Sequence, residues 1–267
     1  MDKGIYTALS GGIAKSHELE LIANNLANAN TPGFKRDTGT FNEYLSELRA
    51  KEGAEAPNGL LNIQEARVEG DKSFVEMDGI YTDYRQGHLE GTKRNLDVGI
   101  EGNGFLEVLT PSGIRYTRQG SLSVGANGAL VTQNGFPVLA KPTPGSEALP
   151  PEQRVIRLGG GPVNITEDGV LSQNGQPVAA IHVQEFKEAQ WLEKVGNAYY
   201  RNTHPNNVKG APTSKLHQGF LEASNVNAVQ EMTRLIEATR AYESHMQAIK
   251  TYQEIDGRSV NEIAGGK

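Results

Sequence analysis

Residues 21–36 read Leu-Ile-Ala-Asn-Asn-Leu-Ala-Asn-Ala-Asn-Thr-Pro-Gly-Phe-Lys-Arg, and this stretch marks the first change of structure along the chain. The residues before it contain no proline, and their apolar spacing predicts a helix over residues 2–28. Pro32 disfavours helical geometry at Thr31, and Gly33 can take a positive φ. The first helix is therefore expected to stop inside this stretch.

The N-terminal helix carries a seam with heptad spacing, which steps by four and three residues. Its members are Ile5, Leu9, Gly12, Ser16, Leu19, Ala23 and Leu26. Gly12 and Ser16 are small, so a neighbouring helix could come close to them. We interpret Gly12 as a position of close approach and not as a helix breaker.

A second helix is predicted over residues 227–256, with Asn227 as its N-cap. Its seam follows the same stepping and consists of Ala228, Met232, Leu235, Thr239, Tyr242, Met246 and Ile249. Both seams are narrow stripes, which suit a contact between two helices better than a broad core face. The sequence favours a coiled coil formed by the two termini, while two helices packed on one globular core remain the alternative.

The middle of the chain is predicted to be rich in strands and turns. All 12 prolines lie between Pro32 and Pro212, and proline is poorly tolerated inside helices. The strongest turn signals are Asn127-Gly128, Asn134-Gly135, Asp168-Gly169 and Asn174-Gly175, each of which is typical of a type I′ hairpin turn.

The predicted fold class is α+β, with terminal helices that pair as a coiled coil around a central, mostly β domain. Four segments follow from this pattern. They are an N-terminal helical segment (1–36), an extended arm or linker (37–80), a central β-domain (81–215) and a C-terminal helical segment (216–267) that pairs with the first. Residues 140–162 are expected to form a loop-rich insertion.

Composition excludes several classes of protein. The chain of 267 residues has a net charge of −6 and no run of Lys and Arg, which argues against a nucleic-acid partner. Without cysteine there is no disulfide, thiolate nucleophile or cysteine-ligated metal. No apolar stretch is long enough to predict membrane insertion, and no cleavable signal peptide is expected.

No constellation of catalytic residues is recognisable, and neither a metal nor a cofactor is expected. The glycine-rich segment 99–105 lacks the Lys-Ser/Thr pair of a phosphate-binding loop and leads into a predicted strand. Glu167 and Asp168 sit in a turn signal, where capping is the better reading. Trp191 could stack on a sugar, although anchoring of the β-domain is the favoured interpretation. The chain is therefore expected not to be an enzyme.

Residues 21–36 resemble the N-terminal signature of bacterial flagellar rod and hook proteins. Residues 96–105 (Leu-Asp-Val-Gly-Ile-Glu-Gly-Asn-Gly-Phe) and 116–122 (Tyr-Thr-Arg-Gln-Gly-Ser-Leu) are similar to the entry into that family's β-domain. Residues 224–243 are similar to its C-terminal helix. The start, Met-Asp-Lys-Gly-Ile-Tyr, looks most like the proximal rod type, with the distal rod type as the alternative.

The resemblance implies a structural subunit of the flagellar basal-body rod, which self-assembles through its terminal helices and transmits torque across the periplasm. It also implies export by the flagellar type III apparatus without a cleaved signal. The expected partners are other rod proteins, with copies of the chain itself as a further option, and that export apparatus.

The expected assembly interface combines the seams with the residues of the family motifs. It consists of Ile5, Leu9, Gly12, Leu19, Asn24, Asn25, Leu26, Asn28, Pro32, Gly33, Phe34, Asn225, Met232, Leu235, Ile236, Tyr242, Met246 and Ile249. The alternative from another functional class is a peptidoglycan-binding or cell-wall-acting module with Trp191 in its site.

Overall fold

The computed structural model describes residues 2–45, 73–142, 149–196, 198–210 and 212–265. These residues divide into two compact units. The helical unit comprises the described residues of Met1–Asn24, Thr38–Tyr81 and Val229–Lys267, and the strand unit comprises those of Asn25–Asp37 and Thr82–Ala228. A helix at each end and a mostly β middle confirm the predicted α+β class.

Two helices form the ends of the chain: α1 spans Asp2–Ala27 and α2 spans Ala228–Gly265. After α1 the backbone turns through hydrogen bonds from the N–H of Asn28 to Asn25 O and from the N–H of Ala29 to Leu26 O, each 3.2 Å long. The predicted end of the first helix is thus confirmed.

The C-terminal helix α2 runs beyond the predicted end at residue 256. The prediction relied on apolar spacing, which fades in this part of the chain. A helix is continued by its backbone hydrogen bonds, however, and the segment from 228 to 265 contains no proline to interrupt them.

Residues 37–80, the predicted arm, contribute two strands that pair with each other: β1 (Asp37–Leu45) and β2 (Ser73–Thr82). The remainder of this predicted segment, residues 46–72, lies outside the described residues.

The strand unit is built from short strands, most of them three to five residues long. Their bounds are β3 (Leu89–Gly91), β4 (Val98–Glu101), β5 (Gly104–Thr110), β6 (Gly113–Thr117), β7 (Leu122–Val124), β8 (Leu130–Thr132), β9 (Val163–Ile165), β10 (Val170–Gln173), β11 (Gln176–Ala180), β12 (Val183–Glu185), β13 (Leu192–Lys194), β14 (Tyr199–Asn202), β15 (Lys215–Gln218) and β16 (Phe220–Glu222).

The largest sheet has the order β12-β5-β6-β14-β13, and a three-stranded sheet has the order β11-β10-β9. Three further pairs join β15 to β4, β16 to β3 and β7 to β8, and these pairings are antiparallel. Side chains of these strands and Ile156, which follows the 3₁₀ turn Pro151–Arg154, meet in one core, which includes Val98, Ile100, Leu106, Val108, Leu130, Leu171 and Leu216.

The four predicted turns are present, but only one of them has the predicted geometry. Asn174 and Gly175 both have positive φ, 51° and 78°, as a type I′ turn requires, and they join β10 to β11. At the other three turns only the glycine has a positive φ, for example 74° at Gly128. That pattern is typical of a type I turn followed by a left-handed glycine, so the type I′ prediction is wrong there.

The predicted loop-rich insertion, residues 140–162, contains a 3₁₀ turn at Pro151–Arg154. Arg154 on this turn binds the carboxylate of Glu107 on β5. Residues 143–148 of the insertion lie outside the described residues.

Candidate assembly surface

The two helices touch inside the helical unit at small residues of α1. A Cβ added to Gly4 would lie 2.7 Å from the ring of Tyr252, and one added to Gly11 would lie 2.6 Å from the ring of His245. Since residue 4 meets 252 and residue 11 meets 245, the helices run antiparallel at this contact. A larger residue at either position would require the facing ring to shift.

The contact face of α1 lies one residue before the predicted seam. Gly4 and Gly11 take the closest contacts, whereas Gly12 is buried but would place its Cβ 3.8 Å from His245 Cβ, an ordinary distance. Within the chain the tighter contact is at Gly11, and the role of Gly12 in an assembly contact stays a prediction. The first turns of the observed face are made by the small residues Gly4, Ala8 and Gly11, which apolar spacing does not single out.

On the side of α2 that carries His245, residues at heptad spacing are buried: Glu231, Ala238 and Ile249. Leu235, Tyr242 and His245 are half-buried on the same face. Glu231 is held by Arg234, whose Nη1 donates to its Oε1 at 3.1 Å. Three of the seven predicted α2 seam residues, Leu235, Tyr242 and Ile249, therefore lie on this face, and the other four do not.

The opposite faces of both helices carry large apolar side chains in solvent. On α1 they are Tyr6, Leu9 and Ile13, and on α2 they are Val229, Met232 and Ile236. We call these sets the α1 patch and the α2 patch. Each follows the same i, i+3, i+7 spacing, so each forms a stripe on one side of its helix. Val229 is 73% and Met232 51% exposed, so much of each side chain is accessible to solvent.

Further along α2 the exposed apolar side chains are more scattered. Met246, Tyr252 and Ile255 are exposed there, but the stripe that continues the α2 patch is polar at Glu243 and Gln247. The α2 patch is thus confined to the first turns of the helix.

The family motif residues that follow α1 lie inside the strand unit, around a buried ion cluster. We call the side chains of Lys35, Arg118 and Glu222 the junction cluster. Lys35 Nζ donates to Glu222 Oε1 at 2.6 Å, and Arg118 Nη1 donates to Glu222 Oε2 at 2.9 Å. All three side chains are at most 1% exposed. Buried charges of this kind are tolerated only when each one is paired.

Backbone groups complete the junction cluster. The N–H of Gly87 donates to Glu222 Oε1 at 2.9 Å, and Lys35 Nζ also donates to the carbonyl of Arg85 at 2.7 Å. Burial lowers the pKa of the Lys35 ammonium, although Glu222 opposes that shift. The cluster thus joins residues that are far apart in the sequence at one buried point.

Gly33 contacts the backbone of two residues of the junction cluster, Glu222 and Arg118. Its N–H donates to the carbonyl of Glu222 at 2.7 Å, and its φ is 70°. A Cβ at this position would lie 2.4 Å from the carbonyl of Arg118, which is backbone and cannot rotate away. Position 33 therefore has no room for a Cβ and requires glycine.

Two asparagines of the motifs act as backbone clamps. Asn25 Nδ2 donates to Asp37 O at 2.8 Å, and Asn25 Oδ1 accepts from the N–H of Asp37 at 2.9 Å. Asn225 Oδ1 accepts from the N–H of Arg36 at 2.8 Å, and its Nδ2 donates to Asp83 O at 2.7 Å. Each amide replaces the two partners that a neighbouring strand would supply.

Phe34 is buried beside Ala198 and Val226. Lys194 Nζ lies 3.7 Å from the centroid of its ring and donates to Asp37 Oδ2 at 2.8 Å. Burial lowers the pKa of Lys194, against the opposing effect of Asp37. The aromatic ring and the carboxylate together hold this ammonium in place.

The predicted interface residues therefore fall into three groups. Those that are exposed are Leu9, Asn24, Met232, Ile236 and Met246. Those that are half-buried are Ile5, Leu19, Leu26, Asn28, Pro32, Asn225, Leu235 and Tyr242. Those that are buried are Gly12, Asn25, Gly33, Phe34 and Ile249. Asn25, Gly33, Phe34 and Asn225 meet in the strand unit, while the helix positions belong to the helical unit or to its boundary.

The junction cluster was not predicted from the sequence. Lys35 and Arg118 both stand inside motifs that carried the family resemblance, and this was the available signal. A lysine or arginine is buried so rarely that its residue type alone predicts exposure.

The glycine-rich segment 99–105 is packed and not open. A Cβ at Gly104 would lie 2.4 Å from Val183 Cγ1, and β5 begins at this glycine, as predicted. Within the part of the chain that the structure describes, no group of three or more His, Asp or Glu side chains is placed to hold a metal ion.

No helix among the described residues is long and apolar enough to cross a membrane.

Three family models match the chain. A flagella basal body rod protein model matches residues 5–35, a model of the flagellar hook protein FlgE/F/G D1 domain matches 99–176, and a model of the flagellar basal body rod FlgEFG protein C-terminal region matches 217–262. The first and last of these cover much of α1 and α2, and the second covers much of the strand unit.

Full-length relatives match over nearly all of both chains. The chain is 33% identical over 263 residues to the flagellar basal-body rod protein FlgF of Caulobacter vibrioides, with 98% of each chain covered. It is 31% identical over 274 residues to FlgG of Borreliella burgdorferi, again with 98% of each covered. It is 29% identical over 270 residues to FlgG of Bacillus subtilis, with 98% and 99% covered. The identity and the coverage together show that this chain belongs to the flagellar basal-body rod protein family.

Proposed function

We propose that the chain is a structural subunit of the flagellar basal-body rod, of the FlgF type, with the FlgG type as the alternative. The observation that carries the proposal is the presence of two apolar stripes, the α1 patch and the α2 patch, on helices that match the family models. Large apolar stripes of this kind mark surfaces that other molecules cover. The FlgF and FlgG relatives overlap in identity to the chain, at 28–33% and 29–32%, so the FlgF type is proposed from the resemblance of residues 1–6.

The terminal helices pair as a coiled coil in this proposal. The support is the spacing of the contact faces, which follow steps of four and three residues along both helices. On α1 the face runs through positions 4, 8, 11, 15, 18 and 22, and on α2 it runs through 231, 235, 238, 242, 245 and 249. A repeat of seven residues is what keeps two helices in continuous contact.

The α1 and α2 patches then bind neighbouring rod subunits. Each patch points away from the face that its helix uses within the chain, so both contacts can exist at the same time. Contacts between different surfaces of successive subunits do not close on themselves, and they generate the continuous helical assembly that a rod requires. Close helix packing makes bending and twisting costly, which allows the assembly to transmit torque.

Each of the four predicted segments has a role in this proposal. Residues 1–36 and 216–267 assemble, residues 37–80 extend as an arm, and residues 81–215 fold as the β-domain. The buried motif residues act indirectly, because they fix the chain that enters and leaves the helices. The subunit acts without catalysis, reaches the periplasm through the flagellar type III export apparatus without a cleaved signal, and binds other rod proteins or copies of itself.

The test is incorporation into isolated basal bodies. Cells that produce Ile13→Asp or Met232→Asp in place of the natural chain are expected to lose the protein from purified basal bodies and to lose motility. Gln247→Asp is the matched control, because it adds the same charge to an exposed polar position on the continuation of the α2 patch stripe. Normal incorporation of both patch variants would contradict the proposed interface.

Crosslinking would identify the neighbours. The chain contains no cysteine, so a single cysteine introduced at Ile13 or Met232 gives a unique crosslinking position. Products with rod proteins support the proposal, and their identities separate the FlgF from the FlgG position. Products with no rod protein at either position would contradict it.

A further inference from the structure

The single tryptophan of the chain has no role in the proposed rod contacts. Trp191 ends the 3₁₀ turn Ala189–Trp191, directly before the edge strand β13. It is 39% exposed. A tryptophan that only anchors a core is largely covered, so the anchoring role predicted from the sequence leaves this exposure unexplained.

The indole of Trp191 is held in a fixed orientation. Its ring centroid lies 3.7 Å from that of His204, with an angle of 35° between the planes. Trp191 Nε1 donates to Glu188 Oε2 at 3.2 Å. Thr203 donates its N–H and its hydroxyl to the Trp191 carbonyl at 3.0 and 2.9 Å. His204 therefore stacks on one face of an indole whose residue is 39% exposed.

Polar side chains with planar ends surround this aromatic pair. Glu188 and Gln190 are exposed beside it and are hydrogen-bonded to each other. Asn202 is half-buried, and its Oδ1 accepts from the N–H of His204 at 3.2 Å. A rigid aromatic face next to carboxylate and amide groups offers apolar contact and hydrogen bonds at one site.

We propose that Trp191 and His204 form a binding platform for a neutral, β-1,4-linked oligosaccharide, with one pyranose ring on the free face of the indole. A pyranose with equatorial substituents presents a flat C–H surface to an aromatic ring and directs its hydroxyls outward, where Glu188, Gln190 and Asn202 can bind them. The inference does not depend on the rod proposal.

The charge near the platform favours a neutral ligand over an anionic one. Arg201, the nearby cation on β14, is paired with Glu193 through Nε at 3.1 Å. The Lys187 ammonium donates to the carbonyl of Asn206 at 3.1 Å. The Lys187 ammonium keeps its charge beside Glu188, and Arg201 is balanced by Glu193, so these charges sum to zero and give an ionic ligand no net attraction.

The test uses the fluorescence of Trp191, which is the only tryptophan in the chain and therefore reports this site alone. Titration of the full chain with chitohexaose is expected to give a saturable change in emission. His204→Ala is expected to weaken the affinity about tenfold. His88→Ala is the matched control, since it removes an exposed histidine paired with Glu90 elsewhere on the strand unit, and it should leave the affinity unchanged.

Two further variants keep the proposal open to refutation. Gln190→Ala, on the rim, is expected to weaken the affinity several-fold even if His204→Ala proves unfolded by far-UV circular dichroism. Trp191→Phe is to be followed by calorimetry and should also bind more weakly. The proposal is overturned if chitohexaose causes no saturable change, if none of the three platform variants weakens binding, or if adenosine binds more tightly than chitohexaose.

Discussion

The helical unit and the strand unit place charged and apolar side chains in opposite ways. The strand unit buries a lysine, an arginine and a glutamate completely in the junction cluster, whereas the helical unit leaves Ile13, Val229 and Met232 in solvent. Buried charges are stable only when all their partners are in place, so the strand unit has to complete its contacts within the chain. Exposed apolar stripes gain their stability from other molecules. The difference indicates that the strand unit completes its contacts within the chain, whereas the helical unit exposes surfaces that bind neighbouring molecules.

The largest expected effect on the stability of the strand unit comes from removing the charge at the centre of the junction cluster. Glu222→Gln leaves Lys35 and Arg118 buried without a carboxylate and is expected to lower the free energy of unfolding of the strand unit by about 3–5 kcal/mol. Urea unfolding followed by Trp191 fluorescence measures this unit. Glu193→Gln, which removes the exposed partner of Arg201, is the control and should cost less than about 1 kcal/mol. Equal effects of the two variants would show that the cluster is not critical.

A smaller effect is expected from steric exclusion at the same junction. Gly33→Ala combines a positive φ with a Cβ only 2.4 Å from the Arg118 carbonyl, and it should destabilise the strand unit by more than about 2 kcal/mol. Gly135→Ala is the control, because Gly135 has a φ of 81° and open space around its Cβ. Gly135→Ala should lower the free energy of unfolding only by the cost of a positive φ at alanine, about 1–2 kcal/mol. The same unfolding experiment compares them, and a Gly33 variant as stable as the control would rule out the predicted clash.

The buried carboxylates of the strand unit predict sensitivity to acid. Burial alone would raise the pKa of Glu185, but hydrogen bonds from Lys209, Ser214 and Thr213 outweigh it and lower that pKa from 4.5 to about 2. The unfolded chain therefore binds more protons in this window than the folded chain. The stabilisation by Glu185 is present above pH 4.5 and is lost as the pH falls toward 2.

Urea unfolding at several pH values between 2 and 5.5 checks this prediction. The natural chain should lose stability as the pH falls, and Glu185→Gln should have a flatter dependence, because it has no carboxylate to protonate. An identical dependence in both proteins would contradict the assigned hydrogen bonds.

The smallest effect on folding is expected in the helical unit. Met232→Asp places a charge where the side chain is already in solvent, so the stability of the isolated chain should change by less than about 0.5 kcal/mol. Thermal unfolding followed by circular dichroism at 222 nm measures it. Loss of assembly without loss of stability would sharpen the contrast between the units, whereas clear destabilisation would show that Met232 contributes to the fold of the chain itself.

Local signals in the sequence predicted the end of the first helix and the positions of the turns. Pro32 and Gly33 end the first helix because of their own backbone preferences, and Asn174-Gly175 forms the predicted turn for the same reason. The predicted seam of α1 differs from its contact face by one residue. The reason is that apolar spacing identifies a stripe on a helix but does not show which partner the stripe contacts. On this helix the large apolar stripe is the exposed one, and the glycines face α2.

By itself the sequence determined the α+β class, the end of the first helix, the positions of the turns and the family resemblance, since each depends on residues that are close in the chain or on a long motif. The tertiary structure alone decided that Lys35 and Arg118 are buried with Glu222, that Gly11 meets His245, and that Trp191 stacks on His204. These contacts join residues far apart along the chain. Burial and charge pairing arise only when such residues are brought together, and no local preference encodes them.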